Sequence, residues 1–145
     1  MIEAEHLTKR YGSLTAVNDI SFVANEGEIL GFLGPNGAGK TTTMRILTGF
    51  TPPTKGRVSV MGYDVLSESM KVRRVVGYLP ETIPLYPDMS VGGYLEFVAE
   101  VRQVKDRRER VMEVLDRMGM LGRSESLIRN LSKGMRQRVG LAQAL

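Results

Sequence analysis

Cysteine is absent from the sequence, which excludes both a disulfide framework and a thiolate metal site and is compatible with a reducing cytosol. Long apolar runs are also missing. No window approaches the ~18 consecutive apolar residues that a membrane-spanning helix needs. Residues 1–12 (MIEAEHLTKRYG) hold no apolar stretch of the kind a signal peptide carries, so none is expected there. Neither internal repeats nor a low-complexity linker interrupt the chain. Charge of one sign is scarce: the net charge is +4, with basic residues interleaved with Asp and Glu. That pattern reads as a solvated mixed surface, and no nucleic-acid partner is expected. The basic run at 105–110 (KDRRER) contains Asp106 and Glu109 and reads as an exposed helix start. His6, the sole histidine, reads as an ordinary strand residue.

What is present fits a soluble globular domain: 145 residues, 42% apolar and 25% charged. Patterning predicts strands at 2–9, 16–24, 28–33, 57–61 and 75–79, with a turn at 62–64. It predicts a helix at 42–48 stopped by Gly49, and another at 67–74 opened by Ser67. After a loop with Pro80, Pro84 and Pro87, helices are expected at 90–103, 106–118 and 132–145, with Ser90 and Ser132 as N-caps. The organisation is therefore a strand-rich part, 1–83, followed by a mainly helical part, 84–145.

One motif carries specific chemistry. Gly34, Pro35, Asn36, Gly37, Ala38, Gly39, Lys40 and Thr41 form the pattern Gly-x4-Gly-Lys-Thr, followed by Thr42. Its four fixed positions would occur by chance in roughly 0.5% of chains this long, so a plain glycine-rich turn is a poor explanation. The glycines let the backbone turn tightly and come close to phosphate. Successive N–H groups then form an anion nest, and the following helix points its positive end at the same charge. Lys40 supplies a mobile cation for the outer phosphates, and the Thr41 hydroxyl is a hard oxygen suited to Mg²⁺. The ligand expected is a nucleoside triphosphate, foremost Mg-ATP. A base-reading Asn-Lys-x-Asp motif, which a GTPase would need, is absent.

Three further features stand in a fixed order around this loop: Tyr11 in Lys-Arg-Tyr-Gly, Glu81 in Pro-Glu after 75–79, and Leu-Ser-Lys-Gly-Met-Arg-Gln-Arg at 131–138. Together with GPNGAGKTT they resemble the nucleotide-binding domain of ABC transporters over the whole chain. The wording around the motifs resembles bacterial exporters of the ABC-2 type, including gliding-motility and drug-export ATPases. The fold implied is α/β: a P-loop NTPase of the ABC type, incomplete, with an antiparallel β subdomain and a helical subdomain.

The resemblance also implies roles. Tyr11 would stack on adenine, with Ala16 near the sugar. Glu81 stands where the family usually has the Q-loop Gln, which ligates Mg²⁺; glutamate keeps the oxygen and adds charge. Ser132, Lys133, Gly134 and Met135 occupy the signature motif, normally Leu-Ser-Gly-Gly-Gln. That motif would face the γ-phosphate held by a second nucleotide-binding domain in a head-to-tail dimer, and Lys133 and Met135 depart from it. The region after Glu81 would dock a transmembrane permease subunit, with Leu85, Tyr86 and Met89 either as its contacts or as core. Such a protein would work in the cytoplasm, peripheral on the inner face of the plasma membrane. A soluble ABC ATPase acting on ribosomes or DNA is the alternative. The family's Walker B Asp, catalytic Glu, D-loop and switch His would lie beyond Leu145. The chain is thus expected to be a piece of a longer protein, poorly stable and without ATPase activity on its own. No catalytic base is assigned within it.

Overall fold

The computed structural model describes residues 1–145, which divide into two compact units, Met1–Val76 and Gly77–Leu145.

The first unit is built on a four-stranded antiparallel sheet in the order β2-β1-β3-β4. Strands β1 (Ile2–Tyr11) and β2 (Leu14–Ala24) form a hairpin whose last pair is Tyr11 with Leu14. The Gly12-Ser13 dipeptide is therefore a two-residue loop, and pairing runs up to it from both sides, beyond the expected strand limits. Strand β3 (Lys55–Val60) pairs with β1, and β4 (Tyr63–Asp64) with β3. The expected turn at 62–64 lies instead at Met61-Gly62. Both residues have positive φ, 51° and 81°, as a tight hairpin turn requires.

Helix α1 (Lys40–Leu47) lies against this sheet and buries Thr43, Ile46 and Leu47, the spacing of one helical face. Ile46 and Leu47 join Ala4, Leu7, Val17, Val58, Val60, Val65 and Val72 in one core. The buried hydroxyls are satisfied locally: Thr43 donates to Gly39 O at 3.0 Å and Thr48 to Met44 O at 2.8 Å. Gly49 ends the helix with φ 70°, and its carbonyl accepts from Arg73 Nε and Nη2 at 3.1 and 2.7 Å. Arg73 belongs to α2 (Ser69–Val75). Ser67 does not open that helix. Asp64 accepts from both its N–H (2.8 Å) and its hydroxyl (2.9 Å), and the cap position passes to Glu68.

Two expected strands are absent. Neither 28–33 nor 75–79 joins the sheet, and Val75 closes α2 instead. Their apolar runs meet the sequence criterion for a strand; backbone pairing, the second requirement, has no donor strand within these residues. Ile29 and Leu33 are 98% and 97% exposed, whereas Phe32 is held edge-on to Phe22 of β2 at 5.1 Å.

His6 is not an ordinary strand residue. It sits at φ 50° in a bulge of β1, opposite Asp19 at φ 52° in β2, and its Nδ1 lies 2.8 Å from Asp19 Oδ1 on the exposed face.

The second unit is helical. It comprises α3 (Val91–Val101), α4 (Arg107–Arg117) and α5 (Lys133–Ala142), with single 3-10 turns at Leu121–Arg123 and Ile128–Asn130. Ser90 and Ser132 cap α3 and α5: their Oγ atoms accept from Gly93 N at 3.1 Å and Met135 N at 3.3 Å. Val91, Tyr94, Leu95, Val111, Val114, Leu115, Met120, Ile128 and Val139 make the core. A fully buried Leu115 or Ile128 contributes roughly 1.5–3 kcal/mol each. The Tyr94 hydroxyl donates to Gln143 Oε1 and so ties α3 to the end of α5. Burial, aided by Tyr86, pushes the Tyr94 phenol above its ordinary pKa and keeps it a donor. The 105–110 run is exposed apart from half-buried Arg110, with Arg107 paired to Glu100 at 3.3 Å, as a solvated helix start should be.

Candidate nucleotide site

The Gly-rich segment forms a loop that ends as the N-terminus of α1. Ala38 N donates to Pro35 O at 3.2 Å and closes a turn. Gly39 is the N-cap, in the left-handed region at φ 87°, and packs on β2. A Cβ there would collide with Ala16 O and lie 3.1 Å from Val17 Cγ2. The loop is thus pressed onto the sheet at one point only glycine can occupy. The first helical N–H to find a carbonyl is that of Thr43, which donates to Gly39 O at 2.8 Å. The N–H groups of Gly39, Lys40, Thr41 and Thr42 precede it and have no intrahelical acceptor. They lie at the positive end of the helix, where an oxyanion is favoured.

Lys40 folds back over this loop. Its Nζ donates to Gly34 O at 2.6 Å and Pro35 O at 2.7 Å. The ammonium is held by neutral carbonyls alone, on a side chain with free torsions, so a phosphate could take it over at little strain. Thr41 is exposed at the second position of α1.

A groove of about 580 Å³ runs beside the loop, where Gly37, Ala38 and Lys40 face Ala16, Val17 and Asn18 of β2. Ala16, expected near a sugar, is therefore at the loop. The sequence reading missed Val17 and Asn18. The hint available was that they directly follow Ala16, with side chains alternating across β2.

Tyr11 ends β1 in this same unit. The residue is 46% exposed, and Lys9 Nζ lies 5.0 Å from its ring centroid. A half-exposed aromatic plane at a strand end can take a planar base.

Glu81 and the 131–138 segment belong to the second unit. Glu81 is exposed in the loop before α3. No group of three or more His, Asp or Glu side chains is placed to hold a metal. A hard cation is compatible with the exposed Thr41 hydroxyl only where phosphates and water supply most of the oxygens, which is the usual habit of Mg²⁺. Leu85 and Met89 pack on the helical core, while Tyr86 stays 53% exposed and meets Tyr94 and Phe97 edge-on at 6.0 and 5.9 Å.

At the start of α5, Ser132, Lys133 and Gly134 are exposed, and Met135 is half-buried against the core. The Ser132 oxygen accepts the cap bond and keeps its own proton free to donate. A Cβ on Gly134 would meet nothing within 4 Å, and its φ is not in the left-handed region. Nothing in the chain's own packing calls for glycine here. Ser132 and Met135 also line a groove of about 470 Å³ with Arg123, Ser126 and Asn130.

The family described as ABC transporter matches residues 17–145. The linearmycin resistance ATP-binding protein LnrL of Bacillus subtilis is 36% identical over 100% of the chain and 47% of its own length. The methionine import ATP-binding protein MetN of Geobacillus kaustophilus is 39% identical over 100% of the chain and 45% of its own. The chain thus spans about half the length of these curated relatives. Among solved structures, the dimeric bacterial ABC transporter cassette MJ0796 superposes with a TM-score of 0.88 at 26% identity, over 100% of this chain and 69% of that one. The chain belongs to the ABC transporter family, as an incomplete P-loop ATP-binding domain.

Proposed function

We propose that the protein carrying this chain is the ATP-binding subunit of an ABC transporter and couples ATP binding and hydrolysis to export across the membrane. The observation that carries the reading is the nest at the start of α1, with Lys40 Nζ parked on the Gly34 and Pro35 carbonyls. In this reading the γ- and β-phosphates take Lys40 from those carbonyls and accept from the N–H groups of Gly39 to Thr42. Thr41 holds Mg²⁺ through its hydroxyl, Glu81 lies near the metal through water, and Tyr11 stacks on adenine.

The second half-site comes from another copy. Ser132 and Gly134 present a hydroxyl and an N–H at the start of α5, and the empty surroundings of Gly134 leave room for a phosphate. A dimeric cassette among the structural neighbours supports pairing of two such domains. The exposed Tyr86 and Phe97 rings offer an apolar platform for a permease subunit. No helix of the chain is long and apolar enough to cross a membrane. In this reading attachment to the inner face runs through the permease subunit.

Direction is the finer part of the proposal. One relative is named for resistance to linearmycin, the other for methionine import. Inside-out vesicles carrying the subunit with its permease separate the two. ATP-driven accumulation of cargo inside such vesicles supports export; cargo release from them, or no dependence on ATP, defeats it.

A further inference from the structure

Lys9 makes two contacts that no motif predicts. Its Nζ donates to Pro52 O at 2.7 Å and stands 5.0 Å from the Tyr11 ring centroid. Pro52 lies in the segment 48–54 between α1 and β3. The same ammonium therefore bridges the strand end that bears the exposed ring and the stretch leaving the far end of the phosphate-loop helix. Neighbouring bonds brace that stretch: Thr54 N donates to Thr8 O at 2.8 Å, and Arg10 N to Thr54 Oγ1 at 3.0 Å. A cation over one face of a tyrosine is attracted by the ring quadrupole and excludes a second planar group from that face.

We propose that Lys9 is a positioning residue for the nucleotide base: it fixes the Tyr11 ring and covers one face, so that a purine stacks on the other. The proposal rests on the ATP-binding reading above and adds a residue to it. Lys9 touches the ring, and through the ring it acts on the base; the phosphates are untouched. Substituting it should change affinity for the base-bearing nucleotide while leaving affinity for a bare polyphosphate intact.

The experiment is equilibrium binding of Mg-ATP and of inorganic tripolyphosphate to the full-length protein, comparing wild type with Lys9→Met, Lys9→Arg, Tyr11→Ala and the Lys9→Met/Tyr11→Ala double variant. Lys9→Met is expected to weaken ATP by about two- to fivefold and leave tripolyphosphate unchanged. Lys9→Arg, which keeps both a carbonyl donor and a cation, should restore ATP affinity. In the Tyr11→Ala background the Lys9 substitution should have no further effect. The proposal is overturned by unchanged ATP affinity in Lys9→Met, by an equal loss of tripolyphosphate, or by an undiminished Lys9 effect without the ring. Wild type that binds neither probe would instead refute the ATP-binding reading itself, so the two failures are distinct.

Discussion

Gly39 and Ala16 sit so close that a single added carbon on Gly39 would strike the Ala16 carbonyl oxygen. Gly39 also holds φ 87°. Replacing it with alanine should cost about 2 kcal/mol or more, from left-handed strain plus a clash with backbone that cannot swing aside. Gly134 supplies the contrast, because a Cβ there meets nothing. Gly134→Ala should leave stability within about 1 kcal/mol, or raise it, since alanine is the better helix former. Its effect should fall on ATP-dependent association of two copies. Denaturant melts and ATP-dependent sizing of both variants check the pair; equal loss of stability in the two would contradict this account of the loop.

Ser90 and Ser132 form a matched set of caps. Each accepts from the N–H three residues on, at 3.1 and 3.3 Å. Alanine at either position should destabilise the fold by about 1 kcal/mol. Only Ser132→Ala should also lower ATP turnover of the full-length protein, by about tenfold, because only that hydroxyl is assigned to a second copy's phosphate. Turnover that drops equally in Ser90→Ala would reduce Ser132 to a cap.

Acid should weaken the first unit through Asp64. The Ser67 N–H, with help from the Ser67 hydroxyl, the Leu66 N–H and the charge of Arg57, holds the Asp64 carboxyl below its ordinary value of 3.8. A depressed folded-state pKa means stability that is fully present above the unfolded value and lost as pH falls through the folded one. Asp64→Asn should therefore be less stable than wild type near neutrality. The gap should persist down to about the ordinary carboxylate pKa and close below it. Denaturant midpoints of both proteins from pH 7 to pH 3 test this; a gap independent of pH would show that the charge of Asp64 is not what matters.

The Gly-rich turn that opens α1 and the two serine caps were legible in the sequence because each is local: the residues that define them also make their bonds. The same is true of α1 stopping at Gly49. What was not legible depends on distant partners. Residues 28–33 look like a strand, yet a strand needs a neighbour, and apolar content says nothing about one. Ser67 looks like a cap, but Asp64 three residues earlier claims its N–H first. His6 looks plain until the register of β1 against β2 slips between Ala4 and Leu7 and leaves it in a bulge facing Asp19. The bond from Lys9 to Pro52 carried no signal, since the two are 43 residues apart. Within the candidate site, the loop was read from its spacing, whereas the groove wall at Val17 and Asn18 appears only once β2 lies beside Gly37 and Lys40.

The central claim is that Lys40 exchanges the carbonyls of Gly34 and Pro35 for nucleotide phosphates. The most direct measurement is Mg-ATP affinity of the full-length protein, by calorimetry, with Lys40 intact and as Lys40→Met. Loss of one charge-assisted phosphate contact predicts affinity weaker by about 10- to 100-fold, with thermal stability without nucleotide changed little. Lys40→Met that binds Mg-ATP as tightly as wild type would contradict the account.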